Sequence, residues 1–129
     1  MDPDPCANRS ACECRSMKGC ARLFKFQVPQ GQEAAYTAYL KGPVAIIDAM
    51  AHQADAFVDL VTIRPDASDT AWNHGRLFTF RDRDQRAAFA GRMAEASLAF
   101  DGSAAARDRR KADAESLRRL VAVADYDLS

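Results

Sequence analysis

This chain has no surplus charge, no long apolar run and almost no histidine. Its 18 Lys and Arg balance 18 Asp and Glu over 129 residues. That balance excludes the basic excess of a general nucleic-acid binder and an electrostatic membrane anchor. No apolar stretch reaches the roughly 18 residues that a membrane-spanning helix needs. Residues 1–20 lack the apolar run of a secretory signal, so the expected compartment is the cytoplasm. There is no Gly-rich phosphate loop, nucleophile elbow or metalloprotease helix, and no cofactor is expected. Cysteine is absent after position 20: Cys6, Cys12, Cys14 and Cys20 all lie in the first twenty residues. That segment is poor in large apolar side chains and is expected to be a mobile arm, with the folded domain spanning 21–129.

What the sequence does contain is a repeat. Arg22-Leu23-Phe24-Lys25-Phe26 is followed by Gln32-Glu33-Ala34-Ala35-Tyr36. Later, Arg76-Leu77-Phe78-Thr79-Phe80 is followed by Gln85-Arg86-Ala87-Ala88-Phe89. Each copy is a two-residue alternation of the kind a strand needs, leading into a helix.

The alternation predicts a first strand over 22–28, ended by Pro29 and Gly31. Tyr36, Leu40, Pro43, Ile47, Met50 and Ala54 then fall on one helical face. Gly42-Pro43 interrupts it, as a kink or as the start of a second, collinear helix. A second strand is predicted over 57–64, a loop over 66–75 and a third strand over 76–81. A helix follows over 84–100, with Phe89, Met93, Ala96 and Phe100 buried, and breaks at Asp101-Gly102. Ser103 caps a further helix to about Leu117. That helix is densely charged, with Glu115 and Arg119 placed to pair, and is expected to be a solvated face. The last strand is predicted over 120–128.

Strand, helix, strand, strand, helix, strand describes an α+β, ferredoxin-like βαββαβ sandwich. Right-handed crossovers give a four-stranded antiparallel sheet of order 4-1-3-2 with the helices on one face and one extra helix before the last strand. The repeated strands are central, each turning a Phe-x-Phe pair toward the helices. The other face carries Leu23, Lys25 and Gln27 beside Leu77, Thr79 and Arg81. It is either an open, solvated face or one that pairs with a second copy.

In element order, lengths and the character of its repeated strands, the chain from Ala21 to Leu128 resembles the dimeric α/β-barrel superfamily. Antibiotic-biosynthesis monooxygenase-like proteins and related families of unknown function belong to it. The resemblance implies a homodimer formed sheet to sheet, with a small-molecule cavity between sheet and helices. It also implies activities that include cofactor-independent oxidation of aromatic compounds and isomerisation. Monooxygenase-like and haem-degrading members carry a Trp near the end of the third strand and a His in the helix after it. Here the strand ends Phe80-Arg81-Asp82 and no His follows, so haem degradation is not implied.

Candidates for chemistry are few. His74, in Trp72-Asn73-His74-Gly75, carries an imidazole, the side-chain type most used for acid–base work. Asn73 suits donation to an oxyanion, and Trp72 suits an aromatic wall. The plain alternative is a loop whose polar groups satisfy turn amides. Tyr36 would either line a cavity or pack in the core. His52, near a helix end, would either contact ligand or sit solvated by the helix dipole. Asp59 alternates with Phe57 and Val61 and would be desolvated unless paired. Asp125 and Asp127 are expected to guard a sheet edge. Cys12 and Cys14 could bridge a soft metal ion, although the spacing lacks the usual paired knuckles.

Two functions follow. One is a homodimeric small-molecule-binding protein acting as a cofactor-independent oxygenase or isomerase on a small apolar or aromatic compound. The other is a non-catalytic regulatory or binding module with a metal- or redox-responsive cysteine arm.

Overall fold

β-branched, aromatic and alternating side chains form four strands, and the computed structural model describes residues 19–66 and 71–128. In chain order the elements are β1 (Cys20–Gln27), α1 (Glu33–Tyr39), a π-helical turn (Leu40–Val44), α2 (Ala45–Gln53), β2 (Asp59–Ile63) and β3 (His74–Phe80). Then come α3 (Arg83–Asp101), α4 (Ala104–Ala114) and β4 (Arg119–Asp127). The sheet order is β2-β3-β1-β4 with every pairing antiparallel. This is the ferredoxin-like arrangement expected from the sequence.

The repeat occupies the centre of the sheet. Arg22 lies opposite Phe78, Leu23 opposite Leu77 and Phe24 opposite Arg76. The two Arg-Leu-Phe copies therefore cross head to tail about the Leu23–Leu77 pair. Each copy sets an arginine beside the other's phenylalanine, on the helix side of the sheet. Phe78, Phe57, Phe80 and Phe89 pack there as mostly edge-on or tilted pairs, 4.7–6.4 Å between ring centres. Such pairs add to the burial that drives the core.

Several boundaries differ from the sequence reading, for physical reasons. β1 begins at Cys20, which is 2% exposed and part of the core. That cysteine is core packing and not part of an arm. Gly42 has non-helical dihedrals (φ −95°, ψ −106°), so α1 and α2 are two helices joined by a kink. The kink moves the buried stripe to Tyr36, Val44, Ile47 and Ala51, leaving Pro43 half-buried and Ala54 exposed. Phe57 is buried ahead of β2, while the strand itself starts at Asp59. His74 and Gly75 lie inside β3 and not in the loop before it.

Caps fix both long helices. The Asp82 side chain accepts from the Gln85 amide at 2.8 Å, and Gly102 closes α3 with φ +86°. The Ser103 hydroxyl accepts from the Ala106 amide at 3.1 Å. Glu115 falls beyond the end of α4, and no ion pair joins it to Arg119 among the described residues. No described helix is long and apolar enough to cross a membrane.

Candidate functional site

Between the helix face of the sheet and the helices lies a cavity of about 810 Å³. Phe24, Phe26 and Arg76 form its floor on β1 and β3. Val44, Ile47 and Asp48 come from the π turn and α2, and Met93 and Ser97 from α3. The remaining wall is α4 and the chain after it, contributing Arg107, Arg110, Lys111, Ala114 and Arg118. These residues recur at helical spacing, so the densely charged helix turns one basic stripe inward. The expectation of a wholly solvated α4 is corrected here. The stripe was visible in the sequence, but its polarity reads as surface unless the cavity opposite it is known.

Two ion pairs organise the wall. Arg76 donates a short hydrogen bond to Asp48 Oδ2, and both side chains are largely buried. Asp48 Oδ1 is buried and has no hydrogen-bond partner among the described residues. Arg110 binds both Asp101 oxygens at 2.8–3.0 Å, and also donates to Tyr39 Oη at 2.8 Å and Ser97 Oγ at 2.6 Å. These contacts tie α1, α3 and α4 together. Hydrogen bonding from Arg110 holds the Asp101 carboxyl below its ordinary range, against burial, which pushes it up.

The Arg118 guanidinium lies 4.2 Å from the centre of the Phe26 ring, 5.7 Å from that of Tyr39 and 5.8 Å from that of Tyr36. These are cation–π distances. Its Nη1 and the Nε of Arg107 are buried without hydrogen-bond partners among the described residues.

The residues singled out from the sequence lie elsewhere. His74 is 3% exposed; its Nε2 is 3.0 Å from Glu33 Oε1 and its ring packs edge-on against Tyr36. Asn73 accepts from the Val28 amide at 2.8 Å and donates to the Val28 carbonyl at 3.0 Å, so both ends of its side-chain amide are engaged. It continues the β1–β3 ladder beyond the last strand pair. Trp72 lies on the open face of the sheet, with Lys25 Nζ 5.4 Å from its ring centre. Tyr36 is fully buried, and its hydroxyl has no partner among the described residues.

His52 Nε2 is 3.1 Å from the Val58 carbonyl, and its ring packs on Phe57, which docks the end of α2. Asp59 is exposed on the open face opposite Thr79, so its carboxylate is not desolvated. None of these six lines the cavity. Asp125 binds Arg22 at 2.7 and 3.1 Å, and Asp127 binds Arg83 at 2.9 Å, placing both beside β1 and the start of α3. Cys12 and Cys14 lie outside the described residues. Within the described residues no cluster of His, Cys, Asp or Glu could hold a metal ion.

The sequence matches no protein-family model and no curated protein. The fold is similar to that of HapK from Hahella chejuensis, with a TM-score of 0.56 and 12% identity over 85% of this chain and 92% of HapK. It is also similar to MupZ from Pseudomonas fluorescens, with a TM-score of 0.53 and 12% identity over 84% of this chain and 70% of MupZ. At that identity the likeness establishes the shared ferredoxin-like fold.

Proposed function

We propose that this protein is a homodimer that binds a small, largely apolar or aromatic molecule between its sheet and helices. On this reading it acts on that molecule by proton transfer, as a cofactor-independent isomerase or oxygenase. The observation that carries the proposal is the Asp48–Arg76 pair on the cavity wall. Arg76 fixes one carboxylate oxygen, while the other is buried and uncommitted. A positioned carboxylate with one free oxygen is what a general base requires.

Phe24, Ile47 and Met93 add apolar surface to the cavity near it, and the low exposure of the Asp48 and Arg76 side chains strengthens the interaction between them. Asp48 would take a proton from a carbon next to an unsaturated group. Returning that proton at another carbon completes an isomerisation; reaction of the same carbanion with dioxygen begins an oxygenation. Arg76 stabilises the negative charge that develops on the substrate. In this scheme Asn73, engaged with Val28, holds the ends of β1 and β3, and His74, engaged with Glu33, ties β3 to α1.

Two linked measurements test the proposal. Wild-type protein and Ala94→Trp, which fills the cavity from the exposed side of α3, are denatured, and the small molecules they release are compared by mass spectrometry. Compounds carried by wild type and lost from the variant are expected; finding none would overturn binding in the cavity. Those compounds are then incubated in deuterium oxide with wild type and with Asp48→Asn. Wild type should introduce deuterium, and the variant should do so slower by roughly 10²-fold or more. Equal exchange by both proteins removes Asp48 from the base role.

A further inference from the structure

From the charge on the cavity wall we infer that the ligand is an organic anion, an apolar or ring-shaped body carrying a carboxylate or a similar singly charged oxyanion held by Arg118 and Arg107. The inference rests on the cavity being the ligand site. The whole chain is electrically balanced, yet six cationic side chains line this cavity against two carboxylates, Asp48 and Glu115. Two of the six are already committed: Arg76 to Asp48, and Arg110 to Asp101, Tyr39 and Ser97.

Arg118 is different. Among the described residues no carboxylate oxygen lies within 4.0 Å of its guanidinium. Three aromatic rings hold the guanidinium in place. Those contacts offset part of the cost of burying a charge, but they satisfy none of its N–H donors. One donor, Nη1, is buried and unpartnered, as is the Nε of Arg107, a second residue of the cavity lining. Arg107 has only a loose contact with its neighbour, 3.5 Å from Asp108.

A guanidinium set against aromatic rings, with no carboxylate partner among the described residues, keeps donor capacity that suits a carboxylate. On the opposite wall Arg76 is already paired with Asp48, and Phe24, Ile47 and Met93 around them suit the apolar remainder of the ligand. The site therefore has a polar pole at the α4 end and an apolar pole over β1 and α2. A ligand with matching poles would bind in one orientation, its apolar body beside Asp48.

The test uses two fluorescent probes of related shape. 1-Anilinonaphthalene-8-sulfonate carries one anionic group, and N-phenyl-1-naphthylamine is the same ring system without it. Each is titrated into wild type, Arg118→Gln, Arg107→Gln and Ala94→Trp, with circular dichroism confirming that each variant is folded. Wild type should bind both probes. Arg118→Gln should weaken the sulfonate by about tenfold or more, the loss expected for charge-assisted hydrogen bonds, and should change the neutral probe less than about twofold. If Arg118→Gln does not fold, Arg107→Gln gives the same comparison.

Equal weakening of both probes, or no change in either, would overturn the anion assignment. Ala94→Trp separates that failure from failure of the site itself. Loss of both probes there keeps the cavity as the ligand site. Retention of both shows that they bind elsewhere, and then the site and the anion assignment fall together.

Discussion

Gly75 shows how one residue can be required by its neighbours. A Cβ at this position would lie 2.8 Å from Ile63 Cγ1, 2.9 Å from Trp72 Cζ3 and 3.2 Å from Leu23 Cδ1. The Trp72 ring thus rests where a side chain would stand, on the face of the sheet away from the helices. Gly75→Ala is expected to destabilise the protein by about 1–3 kcal/mol through overpacking, read as a lower midpoint in urea denaturation with an unchanged slope. A sequence reader sees a glycine beside a tryptophan and a histidine and suspects a ligand. Here the backbone is approached closely by the protein's own tryptophan. Asn73 teaches the same lesson: its amide has the chemistry of an oxyanion donor, but Val28 uses both ends of it. Donor chemistry is legible in a sequence, whereas which groups remain free is set by contacts between residues 45 positions apart.

Among the elements, α4 carries the most consequence. Its start was legible because Gly102, which closes α3, and Ser103, which caps α4, act on adjacent backbone, and local rules suffice there. Its inward arginine stripe was not legible, because the burial of a charged face depends on what stands opposite. The Arg110–Asp101 contact fastens α4 to α3, with side chains 17% and 6% exposed. Because Asp101 has its folded pKa lowered from 3.8, the pair adds stability above that ordinary value. The contribution is lost as pH falls through the lower, folded value. Asp101→Asn should therefore cost about 2 kcal/mol near neutral pH. Its deficit relative to wild type should shrink as pH drops below 3.8. Urea denaturation of both proteins at neutral pH and at pH near 3 reads both the size and the sign; a deficit independent of pH would show that the pair's charge does not contribute.

At the scale of the whole molecule, among the described residues, helices cover one face of the sheet and none covers the other. On that second face Val61 and Tyr126 are 48% and 44% exposed, close to Leu23 and Leu77. The proposed homodimer would join two such faces, burying these side chains as an antiparallel sheet face favours. Analytical ultracentrifugation should find twice the chain mass for wild type, and Val61→Asp should shift it to a single chain. A wild-type monomer would remove the dimer from the proposal. The sequence alone determined the element order, the central placement of its two Arg-Leu-Phe strands and the Gly102-Ser103 boundary between α3 and α4. Each of these depends on side-chain periodicity or on residues adjacent in the chain. Only the tertiary structure decided which polar groups line the cavity. Arg76 and Asp48 are 28 positions apart, on a strand and a helix that only the tertiary fold brings together. Arg118 gains its role because folding sets three aromatic rings against it and, among the described residues, no carboxylate.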